Sequence, residues 1–180
     1  MVTDNNLAPS EFVLRSVATL RSSLGRNPSA LDVAMGRGRH AVVLAQHGFR
    51  VFGVDRDYAR LQNARTVLLK MGCVPKLWVA NLDSGLLPVG YFDLIVCTRF
   101  LQRTLWPALA KAVIPGGFVV YETFTTHQCR HDWGPRSPEY LLQPEELRQA
   151  FGNWTVWDYQ EREVPSAEAG LLVRRPLLDH

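Results

Sequence analysis

The pattern of this chain predicts a doubly wound α/β domain, a mostly parallel sheet with helices on both faces. Several short runs are apolar nearly throughout, as strands buried on both faces must be. The segments between them repeat apolar residues at helical spacing, so strands and helices alternate along the chain. The length of 180 residues is enough for one domain with a substantial core.

The elements follow in order. Ser10 is placed to cap a first helix whose apolar positions Val13, Leu14, Val17, Leu20 and Leu24 recur at helical spacing, ended by the Gly25 to Ser29 turn. Residues 30–34 read as a buried strand closed by glycines, and a helix follows over about 40–47 to Gly48. Residues 50–55 form the next strand. Asp57 then caps a helix carrying Tyr58, Leu61, Ala64, Val67 and Leu68, with Gly72 as its stop. Residues 76–80 and 92–97 are the third and fourth strands. A helix over about 105–113 leads through Pro115-Gly116-Gly117 to a strand over 118–122. A polar stretch of about 20 residues follows, long enough for a functional loop. Pro144 stands at a plausible first helical position before Glu145, Glu146, Leu147 and Phe151, and residues 154–160 and 170–174 are the last strands.

The bulk numbers exclude several classes. Hydrophobic content of 47% and charged content of 21% are those of an ordinary globular protein, and no window is apolar enough to span a bilayer. The start, Met1 to Asn6, is polar and carries no secretory signal. Three cysteines, Cys73, Cys97 and Cys129, are odd in number and widely spaced, which argues against a disulfide framework and for the cytoplasm. A net charge of +3, with scattered arginines, reads as a solvated surface before a nucleic-acid footprint, although folding can still gather a basic face. The oligomeric state is not legible.

The chemistry centres on Gly36 and Gly38, at the end of the first strand. In such folds ligands bind beyond the carboxyl ends of the strands, where strand order reverses. Glycine there lets a ligand approach the backbone, and the following helix presents free N–H groups. The turn alone is ambiguous, since Gly36-Arg37-Gly38-Arg39-His40-Ala41 also fits a dinucleotide fingerprint with Asp55 as the ribose acid. Two further acids separate the readings. Asp32, inside the first strand, disfavours a nearby pyrophosphate and suits a cationic amino acid. Asp83 is expected to end the third strand, where it accepts from an adenine amino group. Three carboxylates closing three successive strands suit a ligand with ribose, adenine and positive charge but no phosphate, which is S-adenosylmethionine. The bland alternative is that these aspartates cap helices or fill turns.

Leu31-Asp32-Val33-Ala34-Met35-Gly36-Arg37-Gly38-Arg39-His40 resembles the first motif of the class I S-adenosylmethionine-dependent methyltransferases. Phe52-Gly53-Val54-Asp55 is similar to their second motif, Phe92-Asp93-Leu94-Ile95-Val96 to their fourth, and Ile114-Pro115-Gly116-Gly117-Phe118 to the turn before their fifth strand. Tyr121-Glu122-Thr123-Phe124 and the stretch from Tyr140 to Leu147 resemble small bacterial enzymes of the tellurite-resistance and thiopurine type. The likeness covers residues 29–176, preceded by a helical extension over 1–28 and followed by a tail over 177–180. It implies a Rossmann-like seven-stranded sheet whose last strand is antiparallel. It implies a cofactor site of Asp32, Ala34, Gly36, Gly38, Asp55, Arg56, Asn81, Leu82, Asp83 and Thr98, and no metal. Met35, where these enzymes commonly have a small residue or cysteine, and Arg39, in place of a third glycine, depart from the pattern and are expected beside the ligand.

Methyl transfer from a sulfonium needs mainly alignment and exclusion of water, with a general base where the acceptor is a hydroxyl or thiol. The candidates are Arg99, after the fourth strand, to pair with an anionic substrate or a surface acid; Glu122, at the end of the fifth, to orient the acceptor or act as base; and His127, in the loop. His127, Cys129, His131 and Asp132 lack zinc spacing. Phe100, Phe124, Trp133 and Tyr140 are available to wall a pocket or to serve as core. The compact chain favours a small-molecule methyl acceptor. RNA or protein is the alternative acceptor, a nicotinamide oxidoreductase comes third, and a non-catalytic S-adenosylmethionine-binding module last.

Overall fold

The computed structural model describes residues 8–177. Residues 1–7 of the expected extension and 178–180 of the expected tail lie outside it. Strands β1 (Ser29–Val33), β2 (Arg50–Asp55), β3 (Lys76–Val79), β4 (Phe92–Thr98), β5 (Val113–Phe124), β6 (Thr155–Arg162) and β7 (Glu168–Arg174) form a seven-stranded sheet in the order β3-β2-β1-β4-β5-β7-β6. β7 is antiparallel to both neighbours, while the pairs among β1 to β5 are parallel. The expected mixed sheet therefore forms, with its last strand inserted between β5 and β6.

The helices explain why the strands are apolar on both faces. Helices α1 (Glu11–Arg21), α2 (Arg39–Gln46) and α3 (Tyr58–Lys70) bury Phe12, Val17, Leu44 and Leu68 against Leu94, Val96, Phe118 and Val120. On the other face, α4 (Trp106–Ala112) and α5 (Glu146–Gln149) cover Ile95, Cys97, Val119 and Tyr121 with Leu109 and Leu147. Ser10 caps α1, its hydroxyl accepting from the N–H groups of Phe12 and Val13. That helix lies directly on the sheet: a β-carbon at Gly170 of β7 would stand 2.9 Å from the Phe12 ring. Strand order reverses between β1 and β4, and folds of this kind bind ligands beyond the carboxyl ends of the strands at such a reversal.

Three local expectations are corrected. β5 begins at Val113 instead of residue 118, because the Pro-Gly-Gly turn is drawn into the sheet: Gly116 donates to the carbonyls of Arg175 and Pro176, and Arg175 donates to Gly117. Pro144 does not start a helix, because Glu145 adopts a positive φ of 61° and leaves only Glu146–Gln149 helical. Carboxylates hold that turn, the Gln143 N–H donating to Glu146 and the Glu145 N–H to Glu161. The polar stretch after Glu122 is structured. β5 continues to Phe124, and 3₁₀ turns follow at Thr126–Arg130 and Pro138–Tyr140. Gln128 anchors it, fully buried, donating to the Trp133 carbonyl and accepting from the Ala167 N–H.

Candidate functional site

The turn between β1 and α2 sits at this reversal of strand order. Ala34, Gly36 and Gly38 all take positive φ, 51°, 54° and 78°. The space beside Gly36 is open, whereas a β-carbon at Gly38 would stand 2.8 Å from that of Ala64. One glycine therefore leaves room for a ligand and the other for helix packing. Met35, expected beside the ligand, turns its side chain into the core instead, where it joins Ala41, Leu61 and Ala64. Arg39, expected there too, donates to the Ala8 carbonyl at 3.2 Å.

Two buried carboxylates flank the turn. Asp55 ends β2 and accepts from the N–H groups of Gly36 at 2.7 Å and Asp57 at 2.9 Å, one on each oxygen. Each oxygen keeps a lone pair for a further donor such as a ribose hydroxyl. Asp32 accepts from the Ala41 N–H in the first turn of α2 at 3.0 Å. Burial pushes its pKa up to about 7, opposed by that amide and by Arg39. A cation at this site favours the ionised form.

Asp83 departs from expectation. β3 ends at Val79, and Asp83 lies beyond it in the 3₁₀ turn Leu82–Ser84, exposed and tied to Asn81 by two hydrogen bonds. An Asn81 side chain that caps this turn explains the shift. Leu82 is buried, Arg56 is exposed at the end of β2, and Thr98 closes β4 with its hydroxyl 3.1 Å from His40 Nδ1. Asp93, in the resembling fourth motif, serves the opposite end of the sheet, where it accepts from the Ser29 N–H and hydroxyl.

On the β4–β5 side the structure brings Arg99 and Glu122 into one ion network. Arg99, at φ 51°, donates its N–H to the Glu122 carbonyl and its Nε to Glu168 at 3.3 Å, with its guanidinium over the Phe124 ring. Arg162 pairs with Glu168 and reaches Glu122 at 3.5 Å. Both glutamates are buried, at 2% and 1% exposure. Burial, then Glu168, raises the Glu122 pKa, while Ser10, Arg162 and Arg99 pull the other way. Sequence reasoning missed Arg162 and Glu168, which carry no motif.

His127 points elsewhere, its Nδ1 2.8 Å from Glu163, where Arg130 and His131 also attach. This loop thereby clasps the β6–β7 connection. Trp133 packs edge-on against Phe124, while Tyr140 is exposed. Among the described residues, no three His, Cys, Asp or Glu converge as metal ligands.

Residues 30–117, which carry the turn, both buried aspartates and the start of β5, match the family described as a methyltransferase domain. Over those residues the chain is similar to methyltransferase domains. Two curated relatives are ubiquinone biosynthesis O-methyltransferases. That from Alkalilimnicola ehrlichii is 32% identical over 121 residues, covering 63% of this chain and 48% of its own length. That from Yersinia pestis is 29% identical over 118 residues, covering 62% and 49%. The match thus spans about half the length of these relatives. Among solved structures, TehB from Haemophilus influenzae aligns with a TM-score of 0.75 at 16% identity, over 89% of this chain and 62% of its own. An S-adenosylmethionine-dependent methyltransferase from Clostridium acetobutylicum aligns at 0.74 and 13% identity, over 94% and 93%. At these identities the likeness shows the fold.

The cofactor that the methyltransferase match implies is S-adenosylmethionine, and the residues present fit it. The open side of Gly36 admits a ligand, Asp55 retains acceptors for a diol, and Asp32 is a buried carboxylate whose ionisation a cation favours.

Proposed function

We propose that this protein transfers the methyl group of S-adenosylmethionine to a hydroxyl of a small-molecule acceptor. The carrying observation is the pair Asp32 and Asp55 at either side of the open Gly36 turn, within a segment similar to methyltransferase domains. The bound cofactor supplies an activated methyl on a cationic sulfur, displaced in line. Asp55, with Asn81, Leu82 and Asp83 beyond β3 and Arg56 beside it, is assigned to the nucleoside. Asp32, Ala34, Gly36, Gly38 and Thr98 are assigned to the amino-acid end. The hydroxyl acceptor rests on the O-methyltransferase names of the relatives and on Glu122, whose raised pKa suits a base that takes a hydroxyl proton. Arg99 and Arg162 hold that carboxylate and its partner Glu168 in place. His127, a candidate base, is held by Glu163 on the β6–β7 connection and is assigned to anchoring the loop there.

We take residues 29–176 as the catalytic unit, with the 8–28 segment packed on it. No helix of the described residues is long and apolar enough to cross a membrane, and Cys73, Cys97 and Cys129 are free thiols, which supports a cytoplasmic setting. Calorimetry with S-adenosylhomocysteine and with NADH tests the cofactor, and transfer of labelled methyl to phenols and catechols, with RNA and protein as parallel arms, tests the acceptor. Binding of NADH alone overturns the proposal, and label found only in RNA or protein overturns its small-molecule part.

A further inference from the structure

The first two residues of α2 grip the chain just ahead of α1. Arg39 donates to the Ala8 carbonyl at 3.2 Å, and the Ser10 N–H donates to His40 Nε2 at 3.1 Å. His40 is 2% exposed, and its other nitrogen, Nδ1, lies 3.1 Å from the Thr98 hydroxyl. These contacts join positions 30 and 58 residues apart in sequence.

The chemistry of the partners assigns the proton. A backbone N–H only donates, so Nε2 must be the acceptor and the ring hydrogen must sit on Nδ1. Nδ1–H then donates to Thr98 Oγ1, which leaves the Thr98 hydroxyl hydrogen for a different acceptor. Burial, with Arg39 and Arg99 nearby, holds the ring neutral, its pKa pushed down to about 3. We propose that His40 is a positioning residue, which clamps residues 8–10 on the start of α2 and turns the Thr98 hydroxyl to donate to the cofactor.

This rests on the assignment of Thr98 to the cofactor, so the experiment separates the two. S-adenosylhomocysteine is titrated calorimetrically into wild type, His40→Phe, His40→Asn, Thr98→Val and the double variant His40→Phe/Thr98→Val. The expected result is a loss of about tenfold for His40→Phe and for Thr98→Val, with no further loss in the double variant. His40→Asn, whose amide N–H mimics Nδ1–H, recovers most of the affinity. A merely structural His40 lowers the melting temperature and leaves affinity alone; that outcome, or additive losses, overturns the proposal. If His40→Phe does not fold, His40→Asn and the wild-type ring decide. Long-range ¹H–¹⁵N spectra are expected to show the Nδ1–H tautomer, and the Nε2–H tautomer overturns the assignment. A wild type that does not bind S-adenosylhomocysteine overturns the cofactor reading itself, and this inference with it.

Discussion

The thioether of Met35 fills the space that a β-carbon on Gly53 would need, for such a carbon would stand 2.1 Å from Met35 Sδ. Both residues lie within motifs read from the sequence, one after β1 and the other inside β2. Neither motif shows that each is the condition of the other. The contact explains how a methionine is tolerated beside the glycine turn: it packs under the turn.

Gly53→Ala is therefore expected to overpack the core and cost roughly 1–3 kcal/mol in urea denaturation. Met35→Cys shortens the side chain and is expected to recover much of that loss in the double variant, although alone it destabilises by leaving a cavity. A strictly additive double-mutant cycle would show that the contact is not what limits position 53.

Asp32 carries opposite demands from stability and ligand binding. Its folded pKa of about 7 lies above the ordinary 3.8, so the folded state holds the proton more tightly than the unfolded chain. Stability from this group is present at low pH and is lost as pH rises through 7. Asp32→Asn keeps an oxygen for the Ala41 N–H and removes the titration. Its melting temperature should exceed wild type by more at pH 8 than at pH 5, a difference worth roughly 3 kcal/mol. Wild-type affinity for S-adenosylmethionine should tighten between pH 6 and pH 8, as the carboxylate ionises, and the variant should lack that rise.

Asp55 offers two oxygens to two backbone donors, Gly36 and Asp57. An amide there would aim its NH₂ at one of those N–H groups. Asp55→Asn should thus behave like Asp55→Ala, each weakening S-adenosylhomocysteine by about 1–3 kcal/mol in calorimetry. An unchanged dissociation constant in either folded variant removes Asp55 from the site.

Arg103, in the 3₁₀ turn between β4 and α4, staples the long loop in place. Its guanidinium meets Glu146 at 2.5 and 2.9 Å and also donates to the carbonyls of Glu139 and Leu141. Arg103→Ala should expose residues 131–146 to limited proteolysis and raise the acceptor KM, with S-adenosylhomocysteine affinity unchanged. Arg103→Lys should not restore the loop, since an ammonium cannot make the forked contact. Equal proteolysis of variant and wild type would show that the loop is held by other means.

Glu122→Gln separates base from scaffold. A general base at this position predicts a loss of about 10²–10⁴ in kcat with little change in S-adenosylhomocysteine affinity. Glu168→Gln leaves Glu122 present, and its effect should appear chiefly in thermal stability, because it strips Arg99 and Arg162 of their shared partner. Equal loss of stability with full turnover in Glu122→Gln would make both residues scaffold.

The parallel strands, the glycine turn, the Ser10 and Asp57 caps and the acid closing β2 were legible in the sequence. Each is written in a stretch of a few neighbouring residues, where apolar spacing and backbone freedom act. Tertiary structure decided the rest. Asp83 left its expected strand end because Asn81 captured it, and Glu145 broke the helix expected from Pro144. Arg162 and Glu168 reached Glu122 only because β7 inserts antiparallel beside β5, which sets Gly170 against Glu122 and Glu168 against Phe124. His40 met Ser10 and Thr98 in the same way, through the packing of α1 against α2 on one face of the sheet. Charge and hydrogen-bond partners lie at distances fixed by sheet order, and no periodicity along the chain records that order.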